Sequence, residues 1–464
     1  MRRRSSRVWL ALAAVALAGC QSGYRLHATP EQIAAPQHWR EPHQGVVAVD
    51  AHWWRALGDD TLSTLVQASL VRNTDVLGAV ARVDEARALV EVAEAARLPA
   101  LNAALGLQAA RSLEPTGLTN TRVAQPGLQA SWEADLWGRL RSQVRAAALQ
   151  YHASEADRDG VALGVAGATA QAYVALLALD AQLALTRATA ASRAEALRLA
   201  TDQARVGYIS QLQLTQAQSE HEAVLQAIPE LELAVVRQEN AVRLLAGELP
   251  GPVARTAAFA ALRLPPVPAA LPSQLLVRRP DIAQRALLLA ATGAGLEARR
   301  AAFLPQVSLS AQLGSLLVNG LHYDPVTVWN IGGSILAPLF TGGRLAAQVD
   351  AAAAQRDQAA FAYRRSVLTA FSEVENGLSG VDRLALQMVH AQQRRAILLR
   401  SLEFARDRYQ AGYASYLEQL DAERNLYRLE LDTITLRRSQ FDNAITLYRA
   451  LGGGWQAPAA LEAR

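Results

Sequence analysis

Seven residues, Leu70-Val71-Arg72-Asn73-Thr74-Asp75-Val76, return 206 positions later as Leu276-Val277-Arg278-Arg279-Pro280-Asp281-Ile282. The echo continues at an offset of 205 or 206: Leu98-Pro99 with Leu304-Pro305, Gly138-Arg139-Leu140 with Gly343-Arg344-Leu345, Gly207-Tyr208-Ile209-Ser210 with Gly412-Tyr413-Ala414-Ser415, and Gly247 with Gly452. Most of the chain is therefore one unit written twice, and a unit this long fits no short solenoid repeat.

Each unit joins two kinds of periodicity. In copy one, Leu101, Ala103, Leu105, Leu107 and Ala109 alternate with small or polar residues, as do Leu128, Ala130, Trp132, Ala134 and Leu136. Copy two repeats this with Val307, Leu309, Ala311 and Leu313, and with Trp329, Ile331, Gly333, Ile335, Ala337 and Leu339. Period two marks strands with one apolar and one polar face. Arg111–Thr121 and Ser315–Thr327 are turn-rich and read as hairpin loops. Such strands suit a half-buried sheet on a soluble domain. A length near ten residues and Trp near the strand ends favour a transmembrane barrel.

The strands are followed by helix, from Gly138 to about Arg205 and from Gly343 to about Tyr409, with very little Pro or Gly punctuation. Val367, Phe371, Val374, Leu378, Val381, Ala385 and Met388 alternate steps of four and three, a coiled-coil seam. About 67 residues at 1.5 Å each would span on the order of 100 Å. Return helices run to Gly247 and Gly452, and Pro229 is expected to kink or divide the first. The resulting division is 52–249 for the first repeat (hairpin about 99–137), 250–273 for a Pro-rich crossover, 274–453 for the second repeat (hairpin about 305–341) and 454–464 for a tail.

The N-terminus sets the compartment. Arg2, Arg3, Arg4 and Arg7 precede an apolar run from Val8 to Ala18, so 1–19 reads as a signal peptide. The run ends Leu17-Ala18-Gly19-Cys20, and Cys20 is the single cysteine. That pattern resembles a bacterial lipobox, with the Cys20 thiol as the lipidation site; Gln21, not Asp, follows it, which favours sorting to the outer membrane. Several acyl chains at roughly 0.8 kcal/mol per buried methylene would hold such an anchor durably. Residues 20–51 read as a lipidated extended arm. The chain has no Lys, and its net charge of +4 comes from the signal, since removing those four Arg leaves 42 basic against 42 acidic residues. Nucleic acid is not an expected partner. No later stretch reaches the 18 or so uninterrupted apolar residues of a membrane helix.

Four strands cannot close a membrane barrel, because single-chain barrels need at least eight. Open edges in lipid leave backbone groups unpaired at several kcal/mol each. The strands must be shared among copies, and three copies with cyclic symmetry would supply twelve. Periodicity requires an oligomer without setting the number at three.

Trp53-Trp54 with Leu57-Gly58-Asp59, Arg279-Pro280-Asp281-Ile282-Ala283, Phe303-Leu304-Pro305 and the run from Ala411 to Glu423 give the chain, after Cys20, a resemblance to the TolC-like outer membrane factors. It is more similar still to the NodT-type outer membrane lipoproteins that serve resistance–nodulation–division pumps. The resemblance implies a mainly α fold with a transmembrane β part. Each chain would give four strands to a 12-stranded barrel of a homotrimer. Long antiparallel coiled-coil helices would form a periplasmic α-barrel, with a mixed equatorial domain. It implies an outer membrane exit duct working with a periplasmic adaptor and an inner-membrane pump of that class, without cofactor beyond the Cys20 lipid. By position it implies a periplasmic gate at Leu417, Glu418, Asp421 and Tyr409, with Leu212 and Gln213 as first-repeat neighbours. Ala414 and Gln213 depart from the family's latch arginine and first-copy acid. On the residues alone, the preferred reading of Glu418 and Asp421 is acids near a helix start, where they offset its dipole, and the resemblance reverses that preference. Three converging Asp421 carboxylates would attract cations and hinder anions.

An enzyme is not expected. The eight His are isolated, and no H-E-x-x-H, C-x-x-C or G-x-S-x-G occurs. His38 and His43 read as solvated rather than as metal ligands. The alternatives are the outlet of a type I protein secretion system and, in a different class, a lipid-anchored periplasmic coiled-coil structural or adaptor protein.

Overall fold

The computed structural model describes residues 36, 38–40, 49–115, 117–268, 272–319 and 325–456. The signal peptide, Cys20, His43, most of the arm and residues 457–464 lie outside the described residues. In chain order the elements are α1 (Asp60–Arg72), α2 (Thr74–Ala95), β1 (Ala100–Glu114), β2 (Gly117–Ala134), α3 (Arg139–Arg205), α4 (Gln211–Leu245), α5 (Pro272–Arg278), α6 (Pro280–Ala301), β3 (Gln306–Val318), β4 (Val326–Leu336), α7 (Arg344–Gln410) and α8 (Tyr416–Ala450), with short 3₁₀ turns at Trp53–Leu57 and Phe259–Ala261. They fall into two compact units, Ala81–Glu155 with Gln284–Arg365, and Ala34–Val80 with Ala156–Ala283 and Ser366–Arg464. Both units draw on both copies of the repeat.

In the first unit the strands form one antiparallel sheet of order β1-β2-β3-β4. Its register unites the alternating apolar residues. Ala103 faces Leu128, which faces Leu313, which faces Trp329; Ala130 faces Ala311, which faces Ile331. Gln129, Gln312 and Asn330 align in the same way on the opposite face. The apolar side is open in the protomer: Leu107 is 74% and Ile331 79% exposed. The outer edges of β1 and β4 pair with no strand among the described residues. The strands of the first hairpin run on into its expected loop, since β1 continues to Glu114 and β2 begins at Gly117. The first loop is therefore far shorter than 111–121. Its ladder persists through polar pairs such as Arg111 with Asn120 and Ser112 with Thr119, because backbone pairing needs no apolar alternation. Pro126, which lacks an N–H, coincides with a gap in the β2–β3 ladder between the Ala124–Leu317 and Gly127–Gly314 pairs. There the backbones approach closely enough that a Cβ on Gly127 would lie 3.0 Å from the Leu313 carbonyl oxygen.

In the second unit, Asp59 explains the Leu57-Gly58-Asp59 motif. It is buried at the start of α1, caps Leu62 N at 3.1 Å, and accepts from Tyr173 Oη at 3.0 Å and Thr256 Oγ1 at 3.1 Å. Burial first, and then the Asp59 charge, push the Tyr173 phenol well above its ordinary value. Around this hub Trp53, Leu57, Leu62, Val66, Tyr173 and Phe441 form the core. An 18-residue stretch of α3 is apolar enough to cross a membrane by composition, but 61% of it is buried. Core packing accounts for it.

The repeated seven-residue motif is a joint. In copy one the helix breaks at Asn73, whose Oδ1 caps Asp75 N at 2.9 Å and whose Nδ2 donates to the Leu245 carbonyl at 3.0 Å. In copy two Arg279 takes this place: Nη1 donates to the Ala450 carbonyl at 2.9 Å and to Glu373 at 2.6 Å, and Nη2 to Asp281 at 2.7 Å. Gly247 and Gly452, both at positive φ, sit against the carbonyls of Arg72 and Arg278.

Two expectations need correction. α4 runs from Gln211 to Leu245 as one helix, so of the two outcomes expected at Pro229, division does not occur. That residue is exposed, so the carbonyl of Leu225 that loses its i+4 donor can turn to solvent. The α7 seam is buried at Val367, Val374 and Leu378, but Ala385 is exposed and Phe371 only half-buried.

Candidate functional site

The two helical hairpins turn in the same way. α3 ends on Gly207 at φ 77°, with Tyr208 N donating to the Gln203 carbonyl at 2.8 Å; α7 ends on Gly412 at φ 75°, with Tyr413 N donating to the Arg408 carbonyl at 2.8 Å. Both are glycine-terminated Schellman closures, in which a left-handed residue frees the chain to reverse. Ser210 then starts α4 with a capping box, its hydroxyl accepting from Gln213 N and the Gln213 side chain accepting from Ser210 N at 3.0 Å. Ser415 starts α8 without a side-chain cap bond.

This difference shapes the site. Gln213, at the third helical position, is engaged in its own cap. Its counterpart Glu418 turns its carboxylate to Arg408, at 3.8 Å. Asp421 pairs with Arg424 at 3.3 Å, and Arg424 also reaches Glu220 of α4. The Arg424 hydrogen bond, outweighing desolvation, holds the Glu220 carboxyl below the usual range. Deeper in the bundle, the buried Arg193 pairs with Glu423 at 2.7 Å, and Arg406 reaches the same carboxylate at 3.4 Å. The acids of this region are therefore matched by guanidinium groups of the same protomer. The half-exposed pairs of Glu418 and Asp421 contribute roughly 0–1 kcal/mol each.

Tyr409 donates its hydroxyl to Gln203 Oε1 at 3.1 Å, and its ring lies 5.8 Å from that of Tyr416. Burial raises the pKa of both phenols. Together with Ala200, Ala217 and Leu420 they form a small core that ties the two turns together. Leu417 is 43% exposed and Leu212 68%, beside the exposed Val206, Tyr208 and Tyr413. Of the residues singled out in the sequence, Tyr409 and Gln213 thus act inside the protomer, while Leu212, Leu417, Glu418 and Asp421 reach the surface of the turns. The sequence reading missed Arg193, Glu220, Arg408 and Arg424. Only the three-residue step from Asp421 to Arg424 was visible as a helical ion pair.

The outer membrane efflux protein family matches this chain over residues 65–248 and 271–453. The pyoverdine export outer membrane protein OpmQ of Pseudomonas aeruginosa is 34% identical over 447 residues, 92% of each chain. The cation efflux system protein CusC of Escherichia coli is 33% identical over 453 residues, 96% of this chain and 97% of its own. A crystal structure of CusC superposes with a TM-score of 0.82 and 31% identity, covering 93% of this chain and 99% of the other.

Proposed function

The chain belongs to the outer membrane efflux protein family, and on that premise we propose that three copies close their sheets into one twelve-stranded barrel. The protein is an outer membrane efflux channel of a tripartite export system, in a family of channels rather than enzymes. The observation that carries the trimeric reading is the sheet: among the described residues, four strands, two unpaired edges and one continuous apolar face. Lipid contact makes the exposed Leu and Ile side chains favourable. Edge pairing between copies satisfies the outer backbone groups of β1 and β4, and cyclic closure leaves no edge over. An inner-membrane pump of the resistance–nodulation–division class and a periplasmic adaptor supply the cargo, and a lipid on Cys20 anchors the arm. OpmQ is a pyoverdine exporter and CusC a cation efflux component by name; at about one-third identity neither cargo transfers to this chain.

The test is direct. Detergent-extracted protein should migrate as a trimer when unboiled and as a 49.8 kDa chain, less its signal peptide, when boiled. It should also open discrete channels in planar bilayers. Migration as a monomer in both lanes, with no conductance, would remove the trimer reading.

The turns of the helical hairpins form the gate, with Leu417, Glu418 and Asp421 from each copy around the axis and Leu212 and Gln213 alongside. Because Arg408 and Arg424 pair with these acids, the gate is a balanced ring of charges rather than a bare acidic one. Replacing Glu418 and Asp421 with Ala should therefore leave Arg408 unopposed and Arg424 held by Glu220 alone, a net positive ring. Single-channel conductance should rise, and reversal potentials in a salt gradient should shift towards anions. If conductance and selectivity stay unchanged, these residues do not line the gate.

A further inference from the structure

The two copies of the repeat differ where the sheet joins the helices, at the end holding the first residues of β1 and β3 and the last of β2 and β4. In copy one this junction is acid-balanced. Glu133 pairs with Arg139 at 2.6 Å, and Asp135 caps the first turn of α3 through Leu140 N at 3.0 Å and Arg141 N at 2.8 Å. At the 205-residue offset, Pro338 stands for Glu133 and Phe340 for Asp135, while Arg344 is retained in the place of Arg139. At the 206-residue offset, Arg300 stands where copy one has Glu94.

Copy two thus presents Arg299, Arg300 and Arg344 exposed, with no acidic partner among the described residues. The nearby acid, Glu297, faces Arg145 at 3.9 Å. The helix dipole accounts for Arg299 and Arg300, which lie in the last turn of α6. It does not account for Arg344, the first residue of α7, where a positive charge opposes the dipole. The last turns of α6 pack on the first turns of α7 through Leu296, Val349, Ala352 and Ala353 with Phe303, so Arg299, Arg300 and Arg344 stand at the same end of this helix pair. Beside Arg344, Phe340 is 90% and Leu339 75% exposed, and Trp137 donates its indole N–H to the Pro305 carbonyl at 2.7 Å. A basic patch bordered by exposed aromatic and aliphatic side chains, at the end of an apolar sheet face, matches a bilayer interface.

We propose that Arg299, Arg300 and Arg344 bind the phosphate of an anionic phospholipid in the periplasmic leaflet, with Phe340 and Leu339 seated among its acyl chains. The proposal rests on the barrel reading, which sets this end of the sheet at the periplasmic face. Arginine stems lie along the apolar surface while their heads reach the headgroup, and each guanidinium can hold a phosphate through two hydrogen bonds.

The test uses the full-length protein in nanodiscs of phosphatidylethanolamine with a minor fraction of phosphatidylglycerol, followed by lipid analysis of the tightly retained annulus. Wild type should retain phosphatidylglycerol above its bulk fraction. The Arg299→Gln/Arg300→Gln/Arg344→Gln variant should lose that preference, by on the order of a hundredfold at most for three near-surface charges. Arg111→Gln/Arg122→Gln, which neutralises arginines nearer the opposite end of the strands, should keep it. The proposal is overturned by equal retention in wild type and triple variant, by a triple variant that only weakens the oligomer, or by selective retention of lipid A in place of phosphatidylglycerol. Planar-bilayer conductance measured on the same preparations separates the two readings. Channels without lipid preference sink this proposal alone, whereas protein that forms no channels sinks the barrel reading.

Discussion

Replacing Ile331 with Arg should all but abolish channel assembly in the outer membrane, while Arg at the neighbouring Asn330 should be accepted. Ile331 is mid-strand in β4, 79% exposed and directly opposite Ala311, which in turn faces Ala130. It lies within the apolar face, and a charge there must be drawn out of lipid. The cost is about 2–4 kcal/mol per residue near the bilayer midplane. Closure of three copies repeats it three times, so the assembled barrel would lose on the order of 6–12 kcal/mol. That is comparable to the whole stability of an ordinary domain, about 5–15 kcal/mol. Asn330 sits one residue away on the other face, opposite Gln312 and in line with Gln129. A charge there meets water in the lumen and should shift ion selectivity towards anions without loss of the unboiled trimer. Heat-modifiable trimer in isolated outer membranes, quantified for both variants, decides the matter. Equal assembly of the two would mean that the apolar face does not meet lipid.

The contrast also shows how far the sequence was legible. Alternation at Leu101 to Ala109, or at Trp329 to Ile335, reports that one face leaves water, here for lipid, because one-sided removal from water makes every second residue apolar. It therefore fails beyond the bilayer. The ladder runs on through Arg111–Asn120 and Ser112–Thr119, where both faces are polar and hydrogen bonding alone sets the pairing. Helix length was legible because nothing interrupts it, and even Pro229 was absorbed at an exposed position. The turns were legible from Gly207 and Gly412. Their electrostatics were not, since Glu220 and Arg424 meet only after two hairpins have folded against each other. The repeat was visible, but its purpose was not. Nothing in a run of seven residues says that Asn73 and Arg279 both reach for the last carbonyls of a helix about 170 residues away.

That joint is where a single methyl group should do the most harm. Gly452 lies at φ 90°, and a Cβ there would overlap the Arg278 carbonyl oxygen and lie 2.9 Å from its carbon. Gly247 meets Arg72 in the same way in copy one. Both obstacles are backbone, so relief requires moving the α5–α6 break, where Arg279 is held by Glu373, Asp281 and the Ala450 carbonyl. Gly452→Ala should therefore combine a left-handed backbone cost of about 1–2 kcal/mol with displacement of buried, charge-assisted hydrogen bonds worth about 1.5–3 kcal/mol. A total of roughly 3–5 kcal/mol places it among the rare severe substitutions. Gly412→Ala supplies the control. Its φ of 75° carries the same backbone cost, yet nothing lies within 4 Å of the added carbon, so about 1–2 kcal/mol is expected. Denaturant midpoints of the purified proteins, together with the yield of protease-resistant trimer, should rank wild type above Gly412→Ala and Gly412→Ala well above Gly452→Ala. If the two alanine variants proved equally stable, the close approach at Arg278 would not be holding the second repeat together.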